Sequence, residues 1–146
     1  MAAAYFRHLC EVQEQRGIEV DSAGTAALDG EPTSRFAQEV LTRKGIRPVT
    51  ETSRSLSAAD VRRADLIVTM TRQQRQQVER QFPEARGKTR VLLSFAGREG
   101  DIEDPYGRPL AAYAACLESM STALQGLLDQ VSKPAGGPKT PQEPAP

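Results

Sequence analysis

Six consecutive residues, Asp65-Leu66-Ile67-Val68-Thr69-Met70, limit the folds open to this chain. The apolar residues in this run are adjacent, not alternate. A strand with one face in water alternates, whereas a strand covered on both faces does not. Covering both faces requires helices above and below a parallel sheet, and the flanks supply them. Upstream, Ser57-Ala58-Ala59-Asp60 reads as a helix start, with Asp60 in the capping-box position. Downstream, Thr71 caps a helix that runs to about Phe82. Strands alternating with helices give an α/β fold with right-handed crossovers.

The rest of the chain repeats this pattern. Ala2 to Ala4 with Tyr5, Phe6, Leu9 and Val12 predict a helix over residues 2–16, stopped by Gly17. A short strand is expected from Ile18 to Ser22. A second helix follows, capped by Thr33 or Ser34, containing Phe36, Val40 and Leu41 and stopping at Gly45. Arg90-Val91-Leu92-Leu93 reads as another buried strand. Residues 109–131 form a long helix with Leu110, Tyr113, Leu117, Met120, Leu124 and Leu127 on one stripe, which makes Tyr113 a core residue. The expectation is one domain over residues 1–132, a three-layer parallel sheet with helices on both faces. A disordered tail over residues 133–146 follows, with prolines at 134, 138, 141, 144 and 146.

Charge excludes some functions. The chain of 146 residues carries 19 basic and 19 acidic side chains, and nucleic-acid binders normally show a basic excess. No apolar run reaches membrane length. Cys10 and Cys116 belong to no Cys-x-x-Cys or Cys/His cluster, so neither a metal nor another cofactor is expected. A cytoplasmic protein is the default reading.

Ligands of open α/β sheets bind beyond the carboxyl ends of the strands. The loops after Val20, Met70 and Leu93 open on that edge. The last contains Gly100-Asp101-Ile102-Glu103-Asp104-Pro105-Tyr106-Gly107. Pro105 fixes its own φ and holds Asp104 extended, and Tyr106 stands beside it as a flat wall. A carboxyl presented in this way suits a general acid. The same residues also suit a plain turn leading into the long helix.

Several phrases taken together resemble the low-molecular-weight protein phosphatases, which act on phosphotyrosine or phosphoarginine. They are Met1 to Phe6, Val20-Asp21-Ser22-Ala23-Gly24-Thr25, Arg54-Ser55-Leu56-Ser57, Ala64 to Thr71, and Asp104-Pro105-Tyr106-Gly107. The resemblance covers residues 1 to 131. It implies a cysteine thiolate that attacks phosphorus from a Cys-x5-Arg-Ser loop, with the arginine clamping the phosphate. It implies Asp104 as the acid that protonates the leaving group, Tyr106 as a substrate wall and Ser22 as a brace for the phosphate loop. The partner it implies is a phosphorylated protein.

In the family the Cys-x5-Arg-Ser loop joins a central first strand to the first helix. Met1 aligns just after that loop, so the expectation is a chain truncated before its first helix, lacking the central strand and inactive as written. The run from Cys10 to Arg16 fits the bare Cys-x5-Arg spacing. It reads as helix, has no glycine to turn amides inward, and carries Glu11 and Glu14, which repel a phosphate. Glu51 and Thr52 fall where many members carry a histidine. Arg72, Gln73 and Arg75 read as a solvated face. Two alternatives stand beside the phosphatase. One is a non-catalytic binding domain whose open sheet accepts a partner strand or self-associates. The other is an arsenate reductase, which needs relay cysteines that this chain does not supply.

Overall fold

A computed structural model describes residues 1–26 and 28–132. The expected tail over residues 133–146 lies outside the described residues. Five helices are present among them: α1 (Ala2–Val12), α2 (Arg35–Arg43), α3 (Ala58–Arg63), α4 (Arg72–Gln81) and α5 (Leu110–Val131). Two strands, β1 (Ile67–Thr69) and β2 (Thr89–Val91), pair in parallel, Val68 opposite Arg90, with α4 as the crossover.

The helix starts are local chemistry. The Ser34 side chain accepts from the Ala37 N–H. Ser57 with Asp60 and Thr71 with Gln74 form reciprocal capping boxes. Each satisfies N–H groups that a helix start leaves without partners. Lys88 closes the other end of α3 by donating to the carbonyls of Val61 (2.5 Å) and Ala64 (2.7 Å).

The run that opened the sequence reading divides its side chains between two cores. Leu66, Val68 and Met70 pack into the larger core with α1, α2 and α5. Ile67 packs on the other face against Val61, Val78 and Ala85. The sheet is therefore covered on both faces, as three layers require. The stripe of α5 buries Tyr113, Leu117, Met120, Leu124, Leu127 and Leu128. Burial of each contributes on the order of 2 kcal/mol. Tyr113 is core, as expected, and meets Phe36 edge to face at 5.7 Å.

Three elements differ from expectation. Helix α1 ends at Val12, short of Gly17. Glu14 takes the left-handed conformation, φ 53°. Gln15 N–H then bonds the Cys10 carbonyl at 2.8 Å, and Glu14 N–H bonds Glu11 at 3.2 Å. This is a Schellman closure made without glycine. Residues 18–22 form no strand: a strand exists only beside a neighbour, and none lies along them among the described residues. A single parallel bridge, Gly24 to Ser55, follows instead. Leu92 and Leu93 are not strand either. They open a 3-10 turn, Leu92–Ala96, in which the Ser94 hydroxyl donates to the Val91 carbonyl at 2.7 Å.

That turn packs against α5 with almost no space between backbones. A Cβ placed on Gly126 would stand 2.0 Å from the Phe95 carbonyl oxygen. Gly126→Ala is expected to lower unfolding stability by about 2–3 kcal/mol, because the obstacle is backbone and cannot rotate away. Urea denaturation of the two chains measures it.

Candidate active site

The loop between the 92–96 turn and α5 carries the acidic stretch. Ile102 is buried and donates its N–H to the Met70 carbonyl at 2.9 Å. This ties the loop to the carboxyl end of β1, the edge at which α/β sheets bind ligands. Asp101 Oδ1 accepts from Arg72 at the start of α4, from its N–H at 2.9 Å and its Nε at 3.1 Å. Arg72 is exposed, as the solvated face expected from sequence, and also supports the loop. Its helical neighbour Arg75 pairs with Glu79 at 3.2 Å.

Pro105 is buried, while Asp104 and Tyr106 on either side of it are exposed. Asp104 Oδ1 accepts the Tyr106 N–H at 3.0 Å. The Arg108 N–H closes a turn onto the Pro105 carbonyl at 2.9 Å, with Gly107 at φ 83°. That positive φ explains the glycine after the tyrosine. Tyr106 is 78% exposed, so its ring faces solvent as a wall residue would. The turn reading and the presented carboxyl therefore describe one arrangement.

The start of α1 lies beside this loop. Burial pushes the Met1 ammonium below its usual value, and the Cys116 thiol and Asp104 carboxylate partly offset that. Helix α1 begins after Met1 with no side-chain hydrogen bond to cap it. Cys116 donates weakly to the Glu103 carbonyl, at 3.7 Å, from beneath the loop.

Ser22 is exposed, and its N–H bonds Asp21 Oδ1 at 2.9 Å. Its segment is tied to α1 through Arg7, a residue that sequence reasoning missed. Arg7 donates to the Val20 carbonyl from Nη2 at 2.9 Å and from Nε at 3.3 Å, and pairs with Glu51 at 2.7 Å. The segment before Ser22 is thus linked to α1 through Arg7. No sequence pattern joins positions 7, 20 and 51, or positions 72 and 101, so these contacts could not be read in advance.

Burial pushes the Cys10 thiol up and Glu11 adds to the rise; burial also raises Cys116. A nucleophilic cysteine needs the opposite shift. The stretch from Cys10 to Arg16 is a helix end whose amides bond its own carbonyls, so it cannot cradle an anion.

A parallel sheet covered on both faces, with an Asp-Pro loop fixed at its carboxyl edge, defines an α/β protein whose ligand edge carries that loop. The chain matches the model of the family described as low molecular weight phosphotyrosine protein phosphatase over residues 1–135, and it belongs to that family. The match does not bear out a truncation before the first helix. Among curated relatives it is 35% identical over 132 residues to a protein-arginine-phosphatase of Geobacillus stearothermophilus, covering 90% of this chain and 86% of that one. It is 31% identical over 119 residues to the probable low molecular weight protein-tyrosine-phosphatase EpsP of Ralstonia nicotianae, covering 82% and 81%. A solved low molecular weight protein tyrosine phosphatase from T. tengcongensis superposes with TM-score 0.83 at 33% identity, covering 88% of each chain. The chain is an enzyme of the phosphoric monoester hydrolase class by this membership.

Behind the site, Asp60 holds the 20s loop to α3. It accepts from Arg54 at 2.7 Å and from the Ser57 N–H at 2.9 Å, and Arg54 reaches on to Asp21 at 2.9 Å. The Arg54 guanidinium, and then the Ser57 N–H, hold the Asp60 carboxyl far below its usual range. A depressed carboxylate stabilises the fold above its unfolded pKa and loses that contribution as pH falls. Asp60→Asn is expected to cost on the order of 1–2 kcal/mol at pH 7, discounted for the partly exposed arginine. The gap from wild type should narrow below about pH 4. Thermal melts at pH 7 and pH 2.5 measure both effects.

Proposed function

We propose that this chain supplies the general-acid side of a protein phosphatase site acting on phosphotyrosine or phosphoarginine. The observation that carries the reading is Asp104, exposed on a loop tied to the carboxyl end of β1 and standing beside the start of α1. In the reaction a cysteine thiolate attacks phosphorus, and the bond to the tyrosyl oxygen or arginyl nitrogen breaks. Asp104 gives its proton to that leaving atom. Its carboxylate then draws a proton from the water that hydrolyses the phosphocysteine, which restores acid and thiolate. Tyr106 flanks the leaving group, and Ser22 braces the phosphate loop. The substrate class follows the relatives, whose names include both arginine and tyrosine phosphatases.

The thiolate has no candidate among residues 1–146, since Cys10 and Cys116 are buried helix residues. By itself this chain is therefore expected to turn over no p-nitrophenyl phosphate. Turnover abolished by Cys10→Ser would overturn that statement. A designed fusion that appends a strand and a Cys-x5-Arg-Ser loop tests the acid role, and turnover is expected in it. Asp104→Ala should then lower kcat by about 10²–10⁴ with little change in KM. Equal turnover in that variant removes the general-acid assignment. Both cysteines are unpaired, which fits the reducing cytoplasm in which we place the protein. No helix among the described residues is long and apolar enough to cross a membrane.

A second reading has one observation in its favour. β1 pairs with β2 along one edge, and no strand lies along its other edge among the described residues. Such an edge accepts a strand from a partner or a second copy. Light scattering of the 146-residue chain separates the cases: self-association that rises with concentration supports the strand-accepting domain, and a monomer at high concentration speaks against pairing with itself. The arsenate reductase reading gains nothing, because both thiols are raised by burial.

A further inference from the structure

Asp101 lies three residues before Asp104 and was given no role by its sequence context. Its Oδ1 accepts two hydrogen bonds from Arg72, 29 residues away in the chain. Arg72 opens α4, so the N–H it gives to Asp101 is one the helix cannot use internally. The next loop residue, Ile102, bonds the Met70 carbonyl. Two consecutive loop residues are thus fixed to two consecutive structural features, the end of β1 and the start of α4. Among the described residues Asp104 itself makes only the local bond to the Tyr106 N–H. Its place relative to the sheet is inherited from residues 101 and 102.

We propose that Asp101 is a positioning residue for Asp104, holding the acid loop against the start of α4 through its two hydrogen bonds with Arg72. The proposal rests on the reading of Asp104 as general acid. Asp101 touches no reacting atom. With the Ile102 bond alone the loop keeps one axis on which to swing, and the Asp101 attachment removes it. Displacing a reacting group by about 1 Å costs on the order of 100-fold in rate. The arginine N–H and guanidinium lower the Asp101 carboxyl below its usual value, so the attachment is charged and intact at neutral pH.

The test has two arms. The first uses the 146-residue chain and amide hydrogen exchange read by NMR. Asp101→Ala is expected to speed exchange at Ile102 and Tyr106 by roughly tenfold, the loss of about one hydrogen bond, while α5 amides are unchanged. Asp101→Asn keeps an acceptor oxygen and should fall between. Unchanged exchange at Ile102 and Tyr106 overturns the proposal. The second arm uses the form carrying a Cys-x5-Arg-Ser loop and compares phenyl phosphate, a poor leaving group, with p-nitrophenyl phosphate, a good one. Asp104→Ala should lose far more kcat on phenyl phosphate. Asp101→Ala should show the same bias, by roughly tenfold, with KM unchanged, and Asp101→Asn should recover part of it. An equal loss on both substrates in Asp101→Ala overturns positioning while the bias of Asp104→Ala stands. A flat response in Asp104→Ala shows instead that the general-acid reading has failed.

Discussion

Helix α5 approaches the 92–96 turn so closely at Gly126 that no side chain fits between them. The rest of the fold depends on that contact. It sets the height at which the chain leaves β2, and so the point from which the acid loop departs. The same helix buries one face against α1 and α2. A single apolar stripe therefore fixes the loop that carries Asp104 and the helix whose start faces it. Interiors at crystal-like density transmit such constraints because side chains have nowhere to move.

The acid loop combines stiffness and exposure. Its stiffness comes from backbone and ion-pair ties at residues 101 and 102, from buried Pro105 and from the turn closed at Gly107. Its exposure is confined to Asp104, Tyr106 and their neighbours. A proton donor gains from this division: its approach is fixed by groups that are not themselves open to the substrate. Arg7 acts comparably on the opposite side, holding the Val20 carbonyl and Glu51 from one guanidinium. An arginine fork does this better than a lysine, since its donors diverge in fixed directions.

The chemistry of the site is divided unequally. Asp104 and Tyr106 are exposed on a fixed loop, and the two thiols among the described residues are buried. Burial raises both thiols. The Cys10 to Arg16 spacing shows why a pattern needs its structural context. The same seven positions that can encircle a phosphate in a loop become, in a helix end, amides already bonded to their own carbonyls.

Sequence alone determined the features that are decided within a few residues. The caps at Ser34, Ser57 with Asp60, and Thr71 were legible because a hydroxyl or carboxylate and the N–H it serves lie within one turn. The α5 stripe and the Asp-Pro-Tyr-Gly turn were legible for the same reason. The end of α1 was not, because Glu14 in a left-handed conformation closes the helix where a glycine was expected three residues later. Tertiary structure decided the remainder. Residues 18–22 have the composition of a strand but no neighbour to pair with among the described residues, and Leu92 and Leu93 enter the 92–96 turn that packs against α5 at Gly126. The supports of the site, Arg7 to Val20 and Arg72 to Asp101, join residues far apart in the chain. Such contacts depend on where the packed core places each backbone, and no local preference encodes them.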